Sequence, residues 1–233
     1  MKDLFGKAIL DYQTGNYTED MITATHISDN EVLPLPYLFR SYDDMPELEQ
    51  QALDMCSGHV LDLGCGAGSH SLYLEERGFD VTSIDISEAA IKACKLRGLH
   101  KARQIDILNL KDRFDTIISL MNGTGLFQTM QKATVYLKHL KTLLRPGGQI
   151  LIDSSDVSYM YDTEDLEWIK QNGMPYYGEL EYYLSYCGES EDAMTWLYLD
   201  FKSLNDLSSG CGLNCEMVMA GDHYDYLARI SIK

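Results

Sequence analysis

The chain has 233 residues, 45% hydrophobic and 24% charged, with 19 Lys and Arg against 36 Asp and Glu. That composition fits one globular domain with additions and excludes disordered, collagenous and coiled-coil chains. A formal net charge of −17, with no basic run to offset it, opposes nucleic acid and anionic membrane surfaces as partners.

No stretch reaches the roughly 18 uninterrupted apolar residues of a membrane span. The opening Met1-Lys2-Asp3-Leu4-Phe5-Gly6 has no apolar leader core and no small-residue cleavage site, so the expected location is the cytoplasm. Cys56, Cys65, Cys94, Cys187, Cys211 and Cys215 contain no C-x-x-C pair. Reduced thiols are expected rather than a disulfide framework, and no metal site is expected.

Residues 1–57, with Pro34, Pro36 and Pro46, read as short helices and extended pieces ahead of a sheet. His59 to Leu63 reads as a buried strand running straight into glycines. Ser69 to Arg77 follows as a helix that Gly78 ends, and Asp80 to Ile84 is the second strand. Ser87 caps a helix carrying Ala90, Ile91, Ala93 and Cys94, which Gly98 stops. Arg103 to Ile105 is a weak third strand and Phe114 to Leu120 a strong fourth. Gln128 to Leu144 carries Val135, Leu137, Leu140, Leu143 and Leu144 at helical spacing. Arg145-Pro146-Gly147-Gly148 then turns the chain into a strand over Gln149 to Asp153. This alternation predicts an α/β fold, a doubly wound parallel sheet with helices on both faces.

The later residues break the rhythm. A tyrosine-rich stretch at 156–200 predicts a two-strand insertion, Gly178 to Tyr186 and Met194 to Asp200. Ser203 to Ser209 reads as a short helix. Leu213 to Ala220 and Tyr224 to Ile232, joined at Gly221-Asp222, predict an antiparallel hairpin.

Chemistry concentrates in Asp62-Leu63-Gly64-Cys65-Gly66-Ala67-Gly68, a strand, a glycine loop and a helix start. Such a loop lets a ligand approach the backbone closely, and the helix offers free N–H groups. Asp85 closes the second strand, where nucleotide folds place a ribose-binding acid. Asp62, two residues ahead of the first glycine, suits a ligand bearing an ammonium group and gives no help to a pyrophosphate.

This pattern resembles the class I S-adenosylmethionine (SAM)-dependent methyltransferases from about residue 58 onward. Their first motif is similar to Val60 to Gly68, their second to Val81 to Ser87, their third to Gln104 to Ile107 and their fourth to Phe114 to Leu120. The resemblance implies a Rossmann-like, seven-stranded, mostly parallel sheet ending in an antiparallel hairpin. It implies SAM as cofactor, methyl transfer by in-line displacement and a small-molecule acceptor. It also implies two parts, an N-terminal lid segment at 1–57 and a methyltransferase domain at 58–233 with a substrate-side insertion at about 156–200.

The cofactor residues so implied are Asp62, Gly64, Cys65, Gly66 and Gly68, then Asp85 and Ile86, then Asp106 and Ile107 beside adenine. Met121 and Asn122 would stand near the transferred methyl group, and Arg40 would meet the cofactor's carboxylate. Met121-Asn122-Gly123-Thr124 lacks the prolines of enzymes that methylate nucleic-acid amines. His70 and His223 read as surface or capping residues, so no catalytic residue is singled out. The tyrosines at 159–183 read as half-buried residues of the insertion or as an acceptor platform. A monomer or homodimer is expected. A SAM-binding regulatory or partner module without turnover has the same motifs. A nicotinamide oxidoreductase conflicts with Asp62, the glycine spacing and the hairpin.

Overall fold

The computed structural model describes residues 2–233; Met1 falls outside them. In chain order the helices and strands are α1 (Leu4–Thr14), β1 (Met21–Thr25), β2 (Glu31–Leu33), α2 (Leu35–Leu38), α3 (Glu47–Asp54), β3 (His59–Leu63), α4 (Ser69–Glu76), β4 (Asp80–Asp85), α5 (Glu88–Leu96), β5 (Ala102–Gln104), β6 (Phe114–Ser119), α6 (Met130–Leu143), β7 (Leu144–Ser155), α7 (Thr163–Gln171), β8 (Glu179–Tyr186), β9 (Glu189–Ser190), β10 (Met194–Leu197), α8 (Phe201–Gly210), β11 (Leu213–Ala220) and β12 (Asp225–Ile232).

The main sheet has seven strands in the order β11-β12-β7-β6-β3-β4-β5. From β7 to β5 all neighbours are parallel, and β12 is antiparallel to both β11 and β7. The mostly parallel α/β sheet expected from the sequence is therefore present. Strand side chains alternate between two cores, as the period of two requires. Leu61, Ile117, Ile150 and Ile152 pack with Leu137 and Leu140 of α6 and Leu204 of α8. Val60, Ile118 and Leu151 face the other way, toward Ala52 and Leu53 of α3 and Leu74 of α4.

Helix α6 buries Ala133, Leu137 and Leu140, while Val135 is exposed. The apolar stripe is thus set by the alanine, and Val135 lies off it. Leu144 to Gly148 stays within β7, with a register shift between Phe114 and Thr116 of the partner strand, so the expected turn is a bulge. Helix α7 buries none of its residues, which is why no apolar period announced it.

A second, antiparallel sheet has the order β10-β8-β1-β2, with β9 also on β8. Ile22 faces Ser185 and Thr25 faces Tyr182, so the N-terminal segment and the insertion form one body. The first 57 residues are accordingly helical only in part. Leu4, Ile9, Met21, Leu35 and Leu184 form their shared core. Helix α1 lies against α5: Ser87 Oγ, which caps α5, donates to Asp3 Oδ2 at 2.6 Å.

Candidate active site

The parallel strands end along one edge of the main sheet, where open α/β sheets bind ligands. After β3 the chain turns through Gly64, Cys65 and Gly66 to Gly68, the residue that caps α4. Gly68 has φ +81°, and a Cβ there would lie 2.5 Å from Leu99 Cδ1 and 3.0 Å from Cys94 Sγ. Only glycine fits that turn and that packing together. Cys65 is buried with its Sγ 3.9 Å from that of Cys94. Its hydrogen bond to Cys94 and its burial push the thiol well up, the state of an inert packing residue.

Asp85 sits at the end of β4 and accepts from Gly66 N at 3.0 Å and Ser87 N at 2.9 Å. Burial raises its pKa above the ordinary carboxylate range, against the pull of those two bonds. Beside it Ile86 is 72% exposed, a bare apolar side chain at the crevice. Asp106 accepts from Leu108 N at 2.9 Å and opens a short helix over Ile107–Asn109, so Ile86 and the Ile107 turn flank the same crevice from β4 and β5. Asp62 is 2% exposed and accepts from Ser71 Oγ at 2.6 Å. Burial raises its pKa too.

Beyond β6 the backbone is strained. Met121 and Asn122 have φ +65° and +59°, left-handed values that cost a non-glycine residue about 1 kcal/mol or more each. Asp153, at the end of β7, holds them: its Oδ2 accepts from Asn122 N at 3.1 Å and its Oδ1 from Gly123 N at 2.7 Å. Burial pushes the Asp153 carboxyl up to about 6. The Asn122 side chain accepts from Ser154 Oγ at 3.1 Å and donates to Leu197 O at 3.5 Å, which ties the loop to β10.

Arg40 is 8% exposed and donates through Nη2 to Glu49 of α3 and through Nη1 to Tyr37 O, with its guanidinium over the Tyr37 ring. Its buried Nε has no hydrogen-bond partner. His70 donates from Nε2 to Glu49 Oε2 at 2.8 Å and is buried. Burial alone would raise Glu49, but His70 and Arg40 together bring it below the ordinary range. His70 is therefore a buried partner of Glu49, not a surface or capping residue; His223 is exposed, as expected of it.

The family named methyltransferase domain matches residues 45–203. A SAM-dependent methyltransferase of Bacteroides fragilis, solved with S-adenosyl-L-homocysteine, is 38% identical and superposes with a TM-score of 0.90 over 99% of this chain and 95% of that one. The chain belongs to the class I methyltransferase family. A ubiquinone biosynthesis O-methyltransferase of Idiomarina loihiensis is 31% identical over 100 residues, 41% of each chain. A glycine N-methyltransferase of Rattus norvegicus is 31% identical over 124 residues, 45% of this chain and 42% of that one. The alignments span less than half the length of these two curated relatives.

Within this methyltransferase the residues singled out in the sequence stand at or just beyond the carboxyl ends of β3 to β6, with Asp62, Cys65, Gly68 and Ile107 buried there, except that Arg40 comes from the N-terminal segment and is engaged with Glu49. Sequence reading passed over Glu49 and Asp153. A carboxylate ending β7 as Asp85 ends β4 was the available signal for Asp153; Glu49 had none, because its partners come from other segments. Among the described residues no three His, Cys, Asp or Glu side chains cluster as a metal site would need, and no helix is long and apolar enough to cross a membrane.

Proposed function

We propose that this protein binds SAM over β3, β4 and β5 and transfers its methyl group to a small-molecule acceptor held over β6, β7 and β12. The observation that supports this reading most is the pairing of the glycine loop with Asp85, joined by Gly66 N to Asp85 Oδ2 at 3.0 Å. That contact sets a carboxylate beside a loop whose backbone a ligand can approach closely, the arrangement a ribose needs. Likeness to the Bacteroides fragilis structure over 99% of the chain supports the same cofactor.

The residues present suit that cofactor. Asp85 keeps further lone pairs for ribose hydroxyls, the exposed Ile86 supplies an apolar face for adenine, and the Ile107 turn, its side chain buried in the core, offers only backbone. The orphaned Nε of Arg40 is a buried donor in want of an acceptor, which the methionine carboxylate would satisfy. Asp62 acts at one remove, by holding Ser71 of α4. Met121 and Asn122 stand between the two halves of the edge. When bound, the cofactor supplies a methyl group on a sulfonium; the protein's part is to position the acceptor in line and exclude water. The lid sheet of N-terminal segment and insertion closes the acceptor side. Cytoplasmic residence and a monomer or homodimer belong to the same proposal.

The test is calorimetric titration with SAM, S-adenosylhomocysteine and NAD. Micromolar binding of the first two without NAD is expected, with labelled methyl from SAM then appearing in a small-molecule fraction. Failure to bind S-adenosylhomocysteine, or binding of NAD alone, overturns the reading. Binding without transfer to any pool would favour the module without turnover.

A further inference from the structure

A cavity of about 270 Å³ opens at the ends of β6, β7 and β12, lined by Tyr37, Glu49, Met121, Asp153, Ser155 and Asp225 among apolar walls. It lies beside the strained Met121-Asn122 turn and across β6 from the glycine loop. Its size falls just under the roughly 300–1,000 Å³ of ordinary ligand pockets, so its occupant is small. No Lys, Arg or His side chain lines it.

Its three carboxylates are not equivalent. Glu49 is matched by Arg40 and His70. Asp153 and Asp225 take part in no ion pair among the described residues. Asp153 is held by two backbone N–H groups, and Asp225 Oδ1 accepts from His223 N at 3.1 Å. Both carboxylates are half-buried, and a cation brought alongside favours their charged forms. The Tyr37 hydroxyl has no hydrogen-bond partner among the described residues, so it adds a free polar group rather than a charge.

The aromatic side chains near this end divide in the same way. Tyr176 and Tyr177 are engaged with Asp200, Tyr177 also with Asp156, and Tyr161 donates to Tyr177 O. Tyr159 and Tyr224 instead stack at 4.7 Å with both rings more than half exposed. Tyr224 directly precedes the cavity-lining Asp225, and Tyr224 O accepts from Asp156 N at 2.9 Å, next to Ser155. Aromatic faces attract cations, so this pair adds to the pull of the carboxylates.

We propose that the acceptor is a small amine, drawn in as its ammonium form by Asp153 and Asp225 past the Tyr159–Tyr224 stack. This rests on the methyltransferase reading above and narrows it to transfer onto nitrogen. The ammonium gives one proton to the Asp153 carboxylate, which passes it to water in the open cavity. The freed nitrogen lone pair forms the new N–CH3 bond, while the donor's sulfur keeps the electron pair of the broken S–CH3 bond and becomes a neutral thioether. An alcohol or phenol would gain no attraction from the pair of acids, and a carboxylate would be repelled.

The experiment measures binding of three near-isosteric probes, benzylamine, benzyl alcohol and benzoate, to the full chain saturated with S-adenosylhomocysteine at pH 7.5. Benzylamine is expected to bind at least tenfold more tightly than benzyl alcohol, with benzoate weakest. Asp153→Asn and Asp225→Asn should each shrink the ratio of benzylamine to benzyl alcohol affinity severalfold. Equal affinities, a preference for benzoate or the alcohol, no benzylamine binding at 10 mM, or an undiminished preference in both variants overturns the amine assignment. Loss of S-adenosylhomocysteine binding in the unaltered chain overturns the methyltransferase reading instead, so the two failures are distinguishable.

Discussion

The two halves of the sheet's carboxyl edge are built from different materials. On the β3–β4–β5 side the surface is largely backbone: a glycine loop, the Ser87 amide and the Ile107 turn, with Asp85 bonded to two N–H groups. On the β6–β7–β12 side it is side chain: Asp153, Asp225, Tyr37 and Met121 around a cavity. Backbone recognition depends on the course of the chain and tolerates little change in packing. Side-chain recognition can be altered one residue at a time without disturbing the fold. In the function proposed above, the methyl donor falls to the part of the edge that cannot vary and the acceptor to the part that can, and the contrast teaches how one fold could serve many acceptors.

The largest expected effect tests the rigidity of the first half. Gly68→Ala must adopt a left-handed φ and place a methyl group 2.5 Å from Leu99 Cδ1. A loss of about 2–4 kcal/mol in denaturant unfolding is expected, with loss of S-adenosylhomocysteine binding. An unchanged midpoint would show that the loop has room to relax. Asp85→Ala comes next, with cofactor affinity weakened about 10- to 100-fold and probe binding on the other side retained. Equal damage to both would break the division at β6.

On the second half, Gly125 packs beneath the lid. A Cβ there would stand 2.0 Å from Trp196 Cε2, so Gly125→Ala displaces β10. Acceptor KM should rise about tenfold with cofactor affinity held within about twofold, and steady-state kinetics beside calorimetry reads both.

The smallest effect is in pH. Asp153 titrates at about 6, raised by burial; above that it is charged and attracts an ammonium, below it is neutral. Amine affinity should therefore fall about tenfold per unit as pH drops below about 6, while benzyl alcohol affinity stays level. Glu49, Tyr37 and Asp225 face the same space and His70 stands behind Glu49; Asp153→Asn separates them, since it should abolish the slope. A persisting slope would place the titration elsewhere.

The same division governs what was legible in the sequence. Asp62, the glycines and Asp85 stand at strand ends or the start of a helix, so their positions follow from βα rhythm, whereas Ile107 was placed only by the family resemblance. The terminal hairpin was legible because Leu213 to Ala220 and Asp225 to Ile232 are adjacent. The Arg40–Glu49–His70 cluster was not, because its members come from a loop, α3 and α4, and local patterning does not record what tertiary packing brings together. The lid was legible only in halves. The insertion strands announced themselves, but nothing local in Met21–Thr25 names β8 as its partner.

That pairing has a consequence for how the protein is made. Strands β1 and β2 leave the ribosome before any residue of the main sheet, yet β8 follows β7 in the chain. The nascent N-terminal strands must wait, unpaired along the β1 edge, while the parallel core from β3 to β7 is synthesised. Long-range pairing of this kind is slow to form. The parallel core from β3 to β7 is thus made before β8 is available to pair with β1, and the second sheet is completed only after the strands it will stand beside.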